Sequence, residues 1–174
     1  VLAAKVDSPH VDAAAVTKQL SHVKIDVSKA KILFVGRQDI SGTYSTTSIA
    51  QEGLHERLLL LDLSGNTANV LDSYNWFYKH LSKAVALRVL NISNCSQLEE
   101  LPAAFSSLRS FQELHARGCS QLRSLPKSIG KLAELRVLDL SGCSELIELP
   151  ASMCQLAALQ VLRLSNCEKL QQLS

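Results

Sequence analysis

Apolar and polar positions along residues 87–174 follow a frame that returns every 24 residues, LxxLxLxxCxxLxxLPxxIxxLxx, with a cysteine at the same place in each return. The units run Leu87 to Ser110, Phe111 to Glu134 and Leu135 to Ala158, followed by a shortened one from Leu159 to Ser174. Three inner columns precede the cysteines: Leu87, Phe111, Leu135 and Leu159; Leu90, Leu114, Leu138 and Leu162; and Ile92, Ala116, Leu140 and Leu164. After Cys95, Cys119, Cys143 and Cys167 come two leucine columns, and then Phe105, Ile129 and Met153 ahead of Leu108, Leu132 and Leu156.

Each LxL segment has the period-two alternation of a strand, and one such coil cannot bury its own apolar side. Neighbouring coils must therefore stack, which makes the strands parallel at a spacing of roughly 4.8 Å. On the opposite side of each coil, Pro102, Pro126 and Pro150 hold φ near about −65° and open a short 3₁₀, helical or irregular turn. A period in the twenties around LxxLxL predicts an α/β leucine-rich repeat solenoid, with a concave parallel sheet inside and short turns on the convex side.

The frame continues upstream with longer coils. Leu58, Leu61 and Leu63 align with Leu87, Leu90 and Ile92, which gives a 29-residue coil from Leu58 to Ala86 with Asn66 at the cysteine position. Ala30, Leu33 and Val35 start another from Ala30 to Arg57, whose outer part includes the polar loop Ser41 to Ser48. Solvated loop is the plain reading of those hydroxyls, with phosphorylation as the alternative. Residues 1–29 are expected to form an N-terminal cap or the tail of a preceding domain, with a short helix after Ser8-Pro9 and an edge strand over Leu20 to Ser28. Tyr74, Trp76, Phe77 and Tyr78 fall on the outer side of the 29-residue coil, either filling its wider space or forming a docking patch.

The 174 residues, 47% hydrophobic and 5% aromatic, suit a single leucine-built solenoid. A net charge of +2 without a basic run leaves no footprint for nucleic acid or an anionic membrane. No apolar stretch approaches the roughly 20 residues of a membrane span. The chain starts at Val1, its one methionine is Met153, and its last unit stops short of the proline position, so a fragment of a longer array is expected.

Five cysteines raise the alternatives of disulfide, metal and structural thiol. Stacked equivalents have Cα atoms within disulfide range, but their Cβ atoms point in parallel and stay too far apart to bond. No CxxC or histidine cluster supplies metal-ligand spacing. Cys95, Cys119, Cys143 and Cys167 are therefore expected to be structural thiols, small buried residues with a weak donor, which favours a cytoplasmic location. The glycosylation triplets at Asn91 and Asn94 are read as chance. Cys154, the extra cysteine, has no basic partner nearby in sequence to activate it.

No phosphate loop, dinucleotide fingerprint, nucleophile elbow, zinc helix or kinase motif is present, so no enzyme activity and no cofactor is expected. Function then falls to the outward columns of the inner sheet. One column reads Asp62, Asn91, His115, Asp139 and Arg163; the next holds serine at Ser64, Ser93, Ser141 and Ser165 and is broken by Arg117. With Glu113, the second whole unit carries a polar patch of Glu113, His115 and Arg117. These seven residues, Asp62, Asn91, Glu113, His115, Arg117, Asp139 and Arg163, are the candidate protein-binding positions. Variation in a constant frame suits an interaction surface and equally suits absence of constraint, and Asp139 and Arg163 could simply pair across adjacent strands.

The segments LRSLPKSIGKLAELRVLDLSGCS and LRVLDLSGCSELIELPASMCQLAALQVLRLSNCEKLQQLS resemble the repeat domain of plant nucleotide-binding, leucine-rich repeat immune receptors. VKIDVSKAKILFVG ahead of ERLLLLDLSGN is similar to the way grass members enter their repeats. That resemblance implies a cytoplasmic domain that recognises a pathogen effector or a guarded host protein and helps to hold the receptor's own nucleotide-binding domain inactive. A Ras-interacting type of cytosolic plant scaffold is the alternative. An extracellular receptor-kinase ectodomain fits less well, because the LPxS turns here lack the GxIP of that class.

Overall fold

A computed structural model describes residues 2–4, 31–34, 58–65, 81 and 83–171, the first two stretches as backbone. Among these residues seven strands form one parallel sheet in chain order: β1 (Leu2–Ala4), β2 (Lys31–Phe34), β3 (Leu58–Asp62), β4 (Val89–Asn91), β5 (Glu113–His115), β6 (Val137–Asp139) and β7 (Val161–Arg163). The inner leucines stand side by side, with Leu61 opposite Leu90, Leu90 opposite Leu114, Leu114 opposite Leu138 and Leu138 opposite Leu162. Leu33 stands opposite Leu61, as the repeat frame requires, although the register slips by one residue between Lys31 and Ile32.

The strand beside β2 is Leu2–Ala4, with Ala4 opposite Leu33. Ala4 and Leu33 are 29 residues apart, the separation of Leu61 and Leu90, so the crossover has the length of one coil. Leu20–Ser28, the helix after Ser8-Pro9, the Ser41–Ser48 loop, Asn66 and the Tyr74–Tyr78 aromatics lie outside the described residues.

On the convex side, Pro102, Pro126 and Pro150 sit at φ −67°, −65° and −67° and lead into 3₁₀ turns over Ala103–Ser107, Lys127–Lys131 and Ala151–Gln155. Proline suits this place because its φ is already set and no donor is needed there. The turns stack through hydroxyls: Ser128 Oγ donates to the Ala103 carbonyl at 2.9 Å and Ser152 Oγ to the Lys127 carbonyl at 2.7 Å. Gly130 lies under the Ser152 carbonyl, where a Cβ would collide with it.

A second backbone ladder on the descending flank joins Arg123 N–H to the Glu99 carbonyl, Ile147 N–H to Arg123, and Gln171 N–H to Ile147, each at 3.0–3.2 Å. Between sheet and turns the core runs as one continuous cluster from Leu58 to Leu156. Phe105 and Phe111 are fully buried and meet edge to face at 5.6 Å, and Ala116, also fully buried, belongs to the same core cluster. A larger ring in one inner column and a smaller side chain in another keep the coil's volume near that of its all-leucine successor. In the last described coil Leu162 is 40% exposed, whereas Leu138 one coil earlier is fully covered, because each inner leucine needs a neighbour on both sides.

Candidate functional site

The concave surface is built from the outward positions of β3 to β7 and the turns that follow them. Each turn needs one residue with positive φ immediately before the cysteine position, met by Gly65, Asn94, Gly118, Gly142 and Asn166 at φ 60–77°. Glycine lacks the Cβ that opposes this conformation and asparagine tolerates it. The Gly-or-Asn alternation is visible in the sequence, although its meaning is conformational and was not part of the repeat frame. The turns are then tied coil to coil: Asn94 N–H donates to the Arg117 carbonyl at 2.7 Å and Gly118 N–H to the Ser141 carbonyl at 2.8 Å.

The cysteines form the ladder beneath these turns, and no disulfide joins them. Each Sγ donates to a carbonyl of the preceding coil: Cys95 to Leu63 at 3.2 Å, Cys119 to Ile92 at 3.1 Å, Cys143 to Ala116 at 3.3 Å and Cys167 to Leu140 at 3.2 Å. The acceptors are the third inner residues, so the thiol is a rung between coils as well as a filler. Burial pushes the Cys119 thiol far above its ordinary value, with Cys95 and Cys143 adding to the rise. Burial likewise lifts Cys143 to about 12, helped by Cys167 and opposed by the backbone hydrogen bond from Cys119. Cys167, less covered, is raised by the same cause. These thiols stay protonated donors and are poor nucleophiles.

The seven candidate positions divide by what they do inside the fold. Asp62, Asn91 and Asp139 each accept the backbone N–H of the serine two residues on, at 2.9, 3.0 and 3.0 Å, the geometry of an Asx turn. Asn91 also donates its amide to Asp62 at 3.1 Å. Three of the five residues in the apparently free column thus support the turns. His115 and Arg163 hold no such bond in the same column. Arg163 lies 3.8 Å from Asp139 across the adjacent strands, a long contact whose arginine is 54% exposed and whose carboxylate is 14% exposed, contributing about 0–1 kcal/mol.

Glu113 departs furthest from the pattern. It occupies the column of Val89, Val137 and Val161, is only 6% exposed, and meets His115 Nε2 through its carboxylate at 3.0 Å. The expected three-residue patch is therefore two things: a Glu113–His115 pair set into the sheet, and an exposed Arg117 standing where other coils present serine. No group of three or more metal-ligating side chains occurs among the described residues, and no described helix is long and apolar enough to cross a membrane.

Comparison with known proteins agrees with this architecture. A family profile described as a leucine-rich repeat region matches residues 77–174. No curated protein matches the chain. Among solved structures, the leucine-rich repeat domain of the type III effector XopL is similar at a TM-score of 0.56 and 23% identity, over 77% of this chain and 39% of that one. The plant peptide hormone receptor RGFR1, solved in complex with RGF2, is similar at a TM-score of 0.46 and 17% identity, over 81% of this chain and 22% of that one. The chain thus spans well under two thirds of either structure, and at 23% identity the likeness to the XopL domain is one of fold. With the repeat profile covering more than half of its length and the coils from β3 to β7 joined in one register, the chain belongs to the leucine-rich repeat family, whose fold is a scaffold for protein–protein interaction.

Proposed function

We propose that this chain is the recognition domain of a plant nucleotide-binding, leucine-rich repeat immune receptor, acting in the cytoplasm. Its concave face would take a pathogen effector, a guarded host protein or the receptor's own nucleotide-binding domain, the last contact contributing to autoinhibition. The observation that carries the binding reading is the coil Phe111–Glu134. Its backbone keeps the strand pairing and the turn-to-turn bonds of its neighbours, while three of its outward side chains depart from theirs at Glu113, His115 and Arg117. A buried carboxylate in a valine column and a lone arginine in a serine column add nothing that the frame requires, which supports a role toward a partner. The receptor assignment itself rests on the likeness of LRSLPKSIGKLAELRVLDLSGCS and its successor to that family.

Two experiments test the two parts. Restoring the coil to its neighbours' residues with Glu113→Val, His115→Asp and Arg117→Ser should keep the fold and abolish capture of partners from the source tissue. Undiminished capture would remove this coil from the binding site. The reading frame upstream of Val1 decides the receptor assignment: a phosphate loop there is expected, and a frame without one would favour the Ras-interacting scaffold.

A further inference from the structure

Charge on the described coils is sorted by face. Concave carboxylates are committed inward: Asp62 to Ser64 and Asn91, Asp139 to Ser141 and Arg163, and Glu113 to His115. Exposed acids such as Glu99 and Glu145 lie on the descending flank, where Arg123 and Lys169 answer them at 3.9 and 2.7 Å. What the concave strands and their turns offer to solvent is cationic. Arg117 is exposed with no ion pair among the described residues, and the Arg163 side chain is 54% exposed beside its distant Asp139 partner.

Arg117 and Arg163 are two strands apart across the sheet and two residues apart along it, which separates their backbone positions by roughly 12 Å. Between them, on β6 and the turn after it, stand Asp139 and Ser141; the carboxylate is only 14% exposed and already accepts the Ser141 N–H, so little free negative charge faces the gap. Carboxylates four residues apart on one side of an extended chain are separated by roughly 13 Å.

We propose that the concave face takes an extended acidic protein segment, one carboxylate on Arg117 and another, four residues away, on Arg163. This rests on the reading of the concave face as the binding face and adds the chemistry of the partner. A nucleic acid is the poorer fit, since its closely spaced phosphates call for a basic stripe and the chain carries a net charge of only +2.

The test uses fluorescein-labelled dodecapeptides with glutamate, glutamine or lysine at every fourth position in a Gly/Ser background, and a single-stranded oligonucleotide of equal charge. Binding to the whole chain is read by anisotropy at low and physiological salt, and footprints by amide hydrogen exchange. The glutamate peptide should bind, weaken with salt, and lose about tenfold in affinity in Arg117→Glu with Arg163→Gln. Lys127→Glu with Lys131→Glu on the convex turns should leave it unchanged. No binding of the glutamate peptide, no effect of the concave variants, or tighter binding of the oligonucleotide overturns the proposal. If the glutamine peptide protects β5 to β7 equally well, the acidic preference fails while the concave site stands. Protection confined to the convex turns overturns both.

Discussion

Raising the pH should destabilise this protein through its cysteine ladder. In the folded chain Cys119 and Cys143 are fully covered, and their thiols titrate well above the ordinary value of 9.0, that of Cys143 at about 12. The folded values are raised, so their contribution is complete below the unfolded value near 9 and is lost as pH climbs toward 12. At about pH 10.5 each unfolded thiol is almost fully ionised, which favours the unfolded chain by about 2 kcal/mol per thiol. Two thiols amount to about 4 kcal/mol, a large share of the roughly 5–15 kcal/mol typical of a domain. The slope above pH 9 is about 1.4 kcal/mol per unit for each thiol.

Cys119→Ala separates this effect from the titration of tyrosine and lysine, which parent and variant share. At neutral pH the substitution removes the bond to the Ile92 carbonyl and leaves a sulfur-sized void, but that carbonyl keeps the Cys95 N–H at 3.2 Å. The cost should be about 1–2.5 kcal/mol. Urea unfolding followed by circular dichroism from neutral to about pH 10.5 should then show the gap between parent and variant narrowing by about 2 kcal/mol. In the folded parent a thiol reagent should react at once with exposed Cys154 and reach Cys119 only as the chain opens. A gap that stays constant with pH, or native Cys119 reacting like a free thiol, would refute the reasoning.

Two further outcomes test the turns and the sheet. Gly118→Ala should cost about 1–3 kcal/mol by thermal or urea unfolding, since φ is +72° and the new Cβ lies 2.5 Å from Asn94 Oδ1. Gly142→Asn should stay within about 1 kcal/mol, because Asn94 and Asn166 already hold φ near 60° at the equivalent places. Glu113→Val should be neutral or raise stability by about 1 kcal/mol, as a buried pair gives way to the valine of the column and His115, 28% exposed, remains solvated. A melting temperature lowered by several degrees in that variant would mean that Glu113 supports the fold.

Much of this molecule is readable from residue spacing alone. Leucines recurring every 24 residues place the strands, prolines place the convex turns, and parallel Cβ directions argue against disulfides, because each follows from local periodicity and the need of one coil for the next. Column variation at Asp62, Asn91 and Asp139 looked free because an Asx turn is a bond to a backbone donor, and backbone donors are invisible in a column of side chains. The same holds for the cysteines: spacing shows that they align, but the acceptor of each thiol belongs to the coil before it, 27 residues away for Cys119, Cys143 and Cys167. Local pattern dictates which residues face inward; contacts between coils, which join residues far apart in the chain, dictate what those residues and their outward neighbours hold.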